Sequence, residues 1–144
     1  MNLRHRLLTP ALAGLLVVAS ASSALAQPLE VTDANGDEIA IEDTSRVATL
    51  GGVFTETVYA LGAQDHITAI DASSFYPPEA LEEKPNFGYY RFLSAEPVLA
   101  QDPSLIIGNE ETGPPEVVQQ LRDAGLPILL LPDNNDVQAA RDLI

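Results

Sequence analysis

The segment RVATLGG, residues 46–52, joins a short apolar run to a pair of glycines. An apolar run of this length that ends in glycine is typical of a buried strand followed by a tight turn. Three later segments are also short apolar runs that end at turn-forming residues: ITAID (67–71) before Ser73-Ser74, SLIIG (104–108) at its own glycine, and ILLL (128–131) before Pro132. Strands of a parallel sheet are buried on both faces, so they give continuous apolar runs rather than alternating ones. We therefore predict a four-stranded parallel sheet.

Helical segments lie between these apolar runs. The sequence predicts helices over residues 55–61, 79–83, 96–100 and 116–124, and a last helix over 136–144. Gly62 and Gly125 follow two of these helices, as expected for C-terminal caps. Strands that alternate with helices predict the α/β class, here a Rossmann-like lobe whose parallel sheet is covered on both faces.

A β-hairpin is predicted ahead of this lobe. Residues 29–33 and 37–41 alternate apolar and polar side chains on either side of Asn35-Gly36. Asn-Gly is the favoured pair of a type I′ turn because both positions need a positive φ. We therefore expect an N-terminal hairpin closed by such a turn.

Residues 1–26 have the pattern of a secretory signal peptide. Arg4 and Arg6 precede an apolar run over 11–18 that is too short to span a bilayer, and Ala24-Leu25-Ala26 fits the cleavage pattern. The chain has no cysteine, so no lipoprotein anchor is predicted after the cleavage site. We expect an exported protein that begins near Gln27, with residues 27–144 as one domain and no direct insertion into the membrane.

The charge balance excludes several classes of partner. Without Arg4 and Arg6, five basic residues remain against 21 acidic ones, a net charge of −16. Such a surface repels nucleic acid and anionic lipid. The absence of cysteine excludes disulfides, thiol chemistry and cysteine metal sites. An anionic ligand would therefore need a local positive group, and Arg91 is one of the five candidates.

The segment PNFGYYRFLSAE, residues 85–96, concentrates four aromatic side chains around Arg91. Phenol oxygens beside a guanidinium suit a planar, anionic, metal-containing ligand, and tyrosinate is a known axial ligand of haem iron. The phenol pKa, near 10, must fall for this role, and both the metal and Arg91 would lower it. An alternative stays open: the aromatics fill a surface hollow and the arginine meets a nearby carboxylate.

The predicted topology gives this segment a place in the fold. In parallel sheets, ligands lie outside the carboxyl ends of the strands. We expect the post-strand loops and the connection between the second and third strands at that edge. These segments are residues 51–55, 71–76, 109–112 and 87–92.

Catalytic motifs are not predicted. His66 is the one histidine outside the signal segment, and we expect it in a solvated loop. The pairs Glu82-Glu83 and Glu110-Glu111 are interpreted as solvated surface, and the glycines at 51–52 as a site of close strand–helix packing. A nucleophile elbow and a dinucleotide fingerprint are both missing.

The order of four motifs resembles one family. GGVFTE (51–56), YALGA (59–63), FGYYRFLSAE (87–96) and DPSLII (102–107) are similar to the haem-importing branch of the periplasmic substrate-binding proteins of ABC transporters. That superfamily also contains vitamin B12 and ferric-siderophore binders. The resemblance covers residues 29–144. It implies two α/β lobes joined by a long helix, with the ligand in the cleft between them.

The resemblance also implies roles for particular residues. Tyr89 matches the tyrosine that ligates haem iron, Arg91 the arginine that hydrogen-bonds and supports it, and Glu96 the carboxylate that docks on the permease. Tyr90 stands at a variable position and is expected to pack or to line the rim. The implied protein is a periplasmic, monomeric haem carrier and not an enzyme, and its partners are Fe(III) haem, an ABC permease and its ATPase.

This chain departs from the family in length. We expect residues 27–144 to be the N-terminal lobe of a longer protein, truncated before the second lobe and its docking carboxylate. Three other functions stay open. They are binding of a ferric siderophore or corrinoid by the same fold, an exported enzyme that uses Tyr89 and Arg91, and an interaction domain whose aromatics form a contact patch.

Overall fold

Strands and helices alternate through residues 28–133, the part of the chain that this computed structural model describes. The strands are β1 (Leu29–Thr32), β2 (Glu38–Ile41), β3 (Val47–Leu50), β4 (Ile67–Ile70), β5 (Leu105–Asn109) and β6 (Ile128–Leu131). The α-helices are α1 (Gly52–Ala60), α2 (Pro78–Glu83), α3 (Ala95–Ala100) and α4 (Pro115–Asp123). One-turn 3-10 helices form at Gln64–His66 and Tyr90–Phe92. The predicted signal peptide and the predicted helix over 136–144 lie outside the described residues.

The four apolar runs form one parallel sheet in the order β4-β3-β5-β6. The α/β prediction with a parallel sheet is therefore confirmed. Leu50 at the end of β3 pairs with Gly108 near the end of β5, so the loops after these strands start at almost the same level. Within residues 28–133, no helix is long and apolar enough to cross a membrane.

Both faces of the sheet are covered, as predicted. Side chains alternate between the faces of a strand, and even-numbered residues such as Leu50, Ile106 and Ile128 share a core cluster with residues of α3 and α4. The odd-numbered Val47, Leu105 and Leu129 pack instead against side chains of β1 and β2. The hairpin is thus part of the lobe's core.

The hairpin forms as predicted, but its turn is not type I′. β1 and β2 pair antiparallel, yet Asn35 lacks the positive φ that a type I′ turn requires, whereas Gly36 has a φ of 86°. The carboxylate of Asp33 accepts hydrogen bonds from the backbone N–H groups of Asn35 (2.8 Å) and Asp37 (2.9 Å). Asp33 also pairs with Arg122 of α4 at 3.0 Å. This side chain closes a longer loop and ties it to the lobe.

A buried carboxylate joins the loops that follow β3 and β4. Asp71 is fully buried, and its Oδ1 accepts hydrogen bonds from the N–H of Gly51 (3.0 Å) and the hydroxyl of Ser74 (3.1 Å). Ser73 adds two more, from its N–H to Oδ2 (3.1 Å) and from its hydroxyl to Oδ1 (3.0 Å). The sequence analysis did not single out Asp71, although a polar residue directly after a buried strand was the available signal.

The same junction explains the glycine pair. A Cβ on Gly52 would lie 2.6 Å from the carbonyl oxygen of Ser73, closer than real contacts allow. Gly52 is therefore a close-packing site, as interpreted, but its contact is with the loop after β4 rather than with a strand. The helix α1 begins at Gly52, three residues before the predicted start. The hydroxyls of Thr49, Thr55 and Ser74 form a buried chain with steps of 2.7 Å across this contact.

We expect Asp71→Ala to lower the free energy of unfolding by about 3 kcal/mol, because buried donors would lose their acceptor. Asp65→Ala removes an exposed aspartate near the start of β4 and serves as the control. Denaturant unfolding followed by circular dichroism measures both changes. Equal midpoints for the two variants would contradict the bracing role of Asp71.

Candidate ligand-binding site

The segment after α2 extends the carboxyl edge of the sheet. Ile70 donates its N–H to Pro85 O (2.9 Å), and its carbonyl accepts from Phe87 N–H (3.1 Å), so residue 86 forms a parallel bridge with the end of β4. Ala72 N–H then donates to Gly88 O at 2.8 Å. Gly88 has a φ of 88°, which a glycine adopts without strain. The chain therefore turns here, just before Tyr89.

The next turn is anchored to the loop after β5. Gly113 N–H donates to Tyr90 O (3.1 Å), and Leu93 N–H donates to Gly113 O (2.9 Å). Backbone hydrogen bonds therefore connect the 87–92 segment with the loops after both β4 and β5. The prediction that these segments share the carboxyl edge is confirmed, and this is the edge at which open parallel sheets bind ligands.

Two adjacent tyrosines have different environments at this edge. The side chain of Tyr90 is buried, with 8% of its surface exposed, and belongs to the core cluster with Leu93 and Val98. Tyr89 is 39% exposed, and its ring lies 4.7 Å from that of Tyr90, centroid to centroid, at an interplanar angle of 59°. Tyr90 therefore packs, as expected, and Tyr89 is the phenol that a ligand can reach.

Arg91 contacts Tyr90 and Glu111 in this structure. Its Nε donates to the Tyr90 hydroxyl oxygen at 3.2 Å, its Nη2 forms an ion pair with Glu111 Oε2, and its Cζ lies 5.4 Å from the centroid of the Tyr90 ring. Among the described residues, the expected hydrogen bond between Arg91 and Tyr89 is not formed. This conformation agrees with the alternative in which the arginine pairs with a carboxylate, here that of Glu111.

Glu110 and Glu111 are both exposed, as the interpretation of this pair as solvated surface requires. Glu111 also has a contact that the interpretation did not include, because its side chain reaches across the edge to Arg91. Its N–H donates to the side-chain oxygen of Asn109 at 3.1 Å, which shapes the turn that presents it. The two partners are 20 residues apart in the sequence. No short-range pattern indicates such a contact.

The surroundings of Tyr89 raise its pKa in this structure. A side-chain hydrogen bond with Tyr90 is the largest cause, followed by partial burial and by electrostatic interaction with Tyr90 and Glu111, while Arg91 acts in the opposite direction. Arg91 therefore has the predicted sign, but the other influences outweigh it. The phenol is protonated at neutral pH, and a metal that binds its oxygen must displace this proton.

Exposed aromatic rings accompany Tyr89. Phe92 is 78% exposed, and the centroid of its ring lies 6.0 Å from that of Tyr89. Phe75 and Tyr76, in the loop that Asp71 braces, are 72% and 63% exposed. Large exposed rings at one edge mark a surface that binds a partner or ligand. A flat apolar molecule with a polar or metallic centre suits this combination.

The other singled-out residues lie apart from these contacts. Glu96 is exposed in the first turn of α3, whose Ala95 and Val98 are buried. A carboxylate there is also favoured by the helix dipole. His66 is exposed at the end of a 3-10 turn, with Nδ1 2.8 Å from Thr44 O, in keeping with the expected solvated position.

The fold and this edge define a ligand-binding lobe of the parallel α/β type. Residues 47–144 match the family model described as "Periplasmic binding protein". The chain belongs to the periplasmic binding protein family. This membership implies a periplasmic location.

Solved structures and curated proteins are similar to this chain, among them two haem-binding proteins and a vitamin B12-binding protein. The periplasmic haem-binding protein RhuT from Roseiflexus sp. RS-1 is 43% identical, with a TM-score of 0.60 over 63% of this chain and 35% of that one. A periplasmic haem-binding protein from Pseudomonas aeruginosa is 40% identical, with a TM-score of 0.62 over 68% of this chain and 35% of that one. The vitamin B12-binding protein of Pectobacterium carotovorum subsp. carotovorum is 34% identical over 86 residues, 60% of this chain and 31% of that protein. The chain spans about a third of the length of these relatives.

The two tyrosines should respond differently to truncation. Tyr90→Ala should lower the free energy of unfolding by about 3–5 kcal/mol, because it leaves a cavity in the core. Tyr89→Ala should leave the unfolding midpoint near that of the wild type, since its ring is partly exposed. Denaturant unfolding of both variants checks the assignment. A larger loss of stability from Tyr89→Ala than from Tyr90→Ala would contradict the assignment of Tyr90 to the core.

Proposed function

We propose that this chain captures haem in the periplasm as the substrate-binding component of an ABC importer. One observation carries the proposal: Tyr89 holds an exposed phenol at the carboxyl edge of the sheet, with its ring packed against the buried ring of Tyr90. The similarity to two haem-binding periplasmic proteins, at 43% and 40% identity, supports haem as the ligand.

The proposed site supplies an oxygen ligand and apolar packing. Fe(III) is a hard cation that favours anionic oxygen, and the porphyrin already provides four nitrogen ligands. The Tyr89 phenolate would take an axial position on the iron. The exposed ring of Phe92, close to Tyr89, would pack on the porphyrin. Arg91 would offset part of the negative charge that the phenolate and the haem carboxylates bring to this acidic protein.

Delivery follows from the same proposal. The chain breaks no bond in its ligand, so its function is capture and transfer rather than catalysis. Residues 1–26 would direct export, and a monomer composed of this lobe and the family's second lobe would carry the haem. Glu96 would dock on basic groups of the permease, and the associated ATPase would drive uptake.

Binding of a corrinoid is the second candidate. The 34% identity to the vitamin B12-binding protein of Pectobacterium carotovorum subsp. carotovorum favours it. Cobalamin also brings a planar metal macrocycle, but its cobalt prefers nitrogen ligands over a phenolate. Competition between haemin and cyanocobalamin distinguishes the two: displacement of haemin by a small excess of cyanocobalamin would favour the corrinoid.

We expect the full-length protein, titrated with haemin, to give the absorption spectrum of a high-spin Fe(III) tyrosinate. Tyr89→Phe should abolish the tyrosinate charge-transfer band and weaken binding by more than about 100-fold, since outer-shell partners of metal ligands alone change affinity by about 10- to 100-fold. Tyr59→Phe removes a hydroxyl from a tyrosine of α1 that packs against the cluster of Ile67 and Ile70, and it should leave band and affinity unchanged. A Tyr89→Phe protein that keeps the tyrosinate band would contradict iron ligation by Tyr89.

Reversal of the charge at position 96 should separate delivery from binding. In cells that depend on haem for iron, Glu96→Lys should slow growth while the purified variant binds haemin like the wild type. Glu116→Lys reverses an equivalent carboxylate in the first turn of α4 and is the matched control. Growth equal to that of the control would argue against docking through Glu96.

A further inference from the structure

Arg91 pairs with Glu111 rather than with Tyr89, the residue that it is expected to assist. We propose that Glu111 is a positioning residue for ligand binding: it pairs with Arg91 and competes with the Tyr89 phenolate for the guanidinium. This inference rests on the proposed function, because the phenolate forms only if Tyr89 binds the iron of the ligand. No family motif quoted from the sequence contains Glu111.

The geometry gives Arg91 one fixed contact and one exchangeable contact. Tyr90 is fixed, since its ring lies in the core and its carbonyl oxygen accepts a hydrogen bond from Gly113. The Arg91 Nε donates to the Tyr90 hydroxyl, and the guanidinium lies over the ring of the same residue. These contacts leave the outer nitrogens free to change partner. In this structure, one of them pairs with Glu111.

The pair with Glu111 is weak enough for a ligand to open. The side chains of Arg91 and Glu111 are 44% and 42% exposed, so water and salt screen their attraction. The Tyr90 hydroxyl lies 3.5 Å from Glu111 Oε2, which is long for an O–H···O hydrogen bond and adds little. Glu111 therefore pairs with Arg91 in this structure, but the ion pair is weak enough for the guanidinium to change partner.

Ligand binding creates a competitor for the guanidinium. Tyr89 is the neighbour of Tyr90, with ring centroids 4.7 Å apart, and the charge of Arg91 acts to lower the pKa of the Tyr89 phenol. When iron displaces the phenol proton, an oxygen with anionic character appears beside the guanidinium. Arg91 then has two possible anionic partners, the Glu111 carboxylate and the Tyr89 phenolate. Removal of the Glu111 charge should favour the contact with Tyr89.

The test compares two neighbouring carboxylates of equal charge. Glu111→Gln removes the partner of Arg91, whereas Glu110→Gln removes a charge from an exposed residue next to it in the chain. We expect Glu111→Gln to tighten haemin binding by about two- to fivefold, the scale of an exposed ion pair. It should also shift the energy of the tyrosinate charge-transfer band, since Arg91 would then contact the phenolate. Glu110→Gln should change both quantities less.

A double-mutant cycle assigns the gain to Arg91. In an Arg91→Ala background, Glu111→Gln should lose most of its effect on affinity and on the band. Equal effects of the two Gln variants, or the same gain with and without Arg91, would overturn the positioning role and leave haem binding intact. A wild-type protein that binds no haemin would instead overturn the proposed function itself. Unchanged thermal unfolding of both Gln variants confirms that folding is not the cause.

Discussion

The burial of Tyr90 is the constraint on which the candidate site depends. Its ring completes the core beside α3 and α4, and its carbonyl oxygen binds the loop after β5. With Tyr90 fixed, its neighbours on both sides, Tyr89 and Arg91, lie at the surface, as their exposure shows. One buried aromatic therefore places an exposed phenol and a guanidinium together, and its own hydroxyl accepts a hydrogen bond from that guanidinium.

The sheet supplies the rest of the site through its topology. Parallel pairing puts the loops after β3, β4 and β5 at one edge. Asp71 joins the first two loops, and hydrogen bonds between Gly113 and the Tyr90–Leu93 turn join the third to the aromatic segment. The ligand-binding edge is thus a continuous hydrogen-bonded surface. Such bracing fixes the backbone that carries the exposed rings, and a preformed backbone would lower the entropic cost of binding a ligand.

The sequence predicted the parts of this structure that depend on local pattern. Apolar runs gave four strands, because a strand buried on both faces has no other signature. The hairpin was predicted, but its turn was not, since the Asp33 carboxylate competes with the Asn-Gly signal. Glu111 was missed because its partner is 20 residues away. The separation of Tyr89 from Tyr90 followed from a family resemblance and not from physical pattern, which treats two adjacent tyrosines alike.

The central claim is that Tyr89 binds the iron of haem. Resonance Raman spectroscopy of the haemin-loaded protein, excited in the tyrosinate charge-transfer band, tests it most directly when the tyrosine rings carry an isotope label. The account predicts phenolate modes that shift with the label in the wild type and disappear in Tyr89→Phe. Label-sensitive phenolate modes that persist in Tyr89→Phe would contradict it, and so would their absence from the loaded wild-type protein.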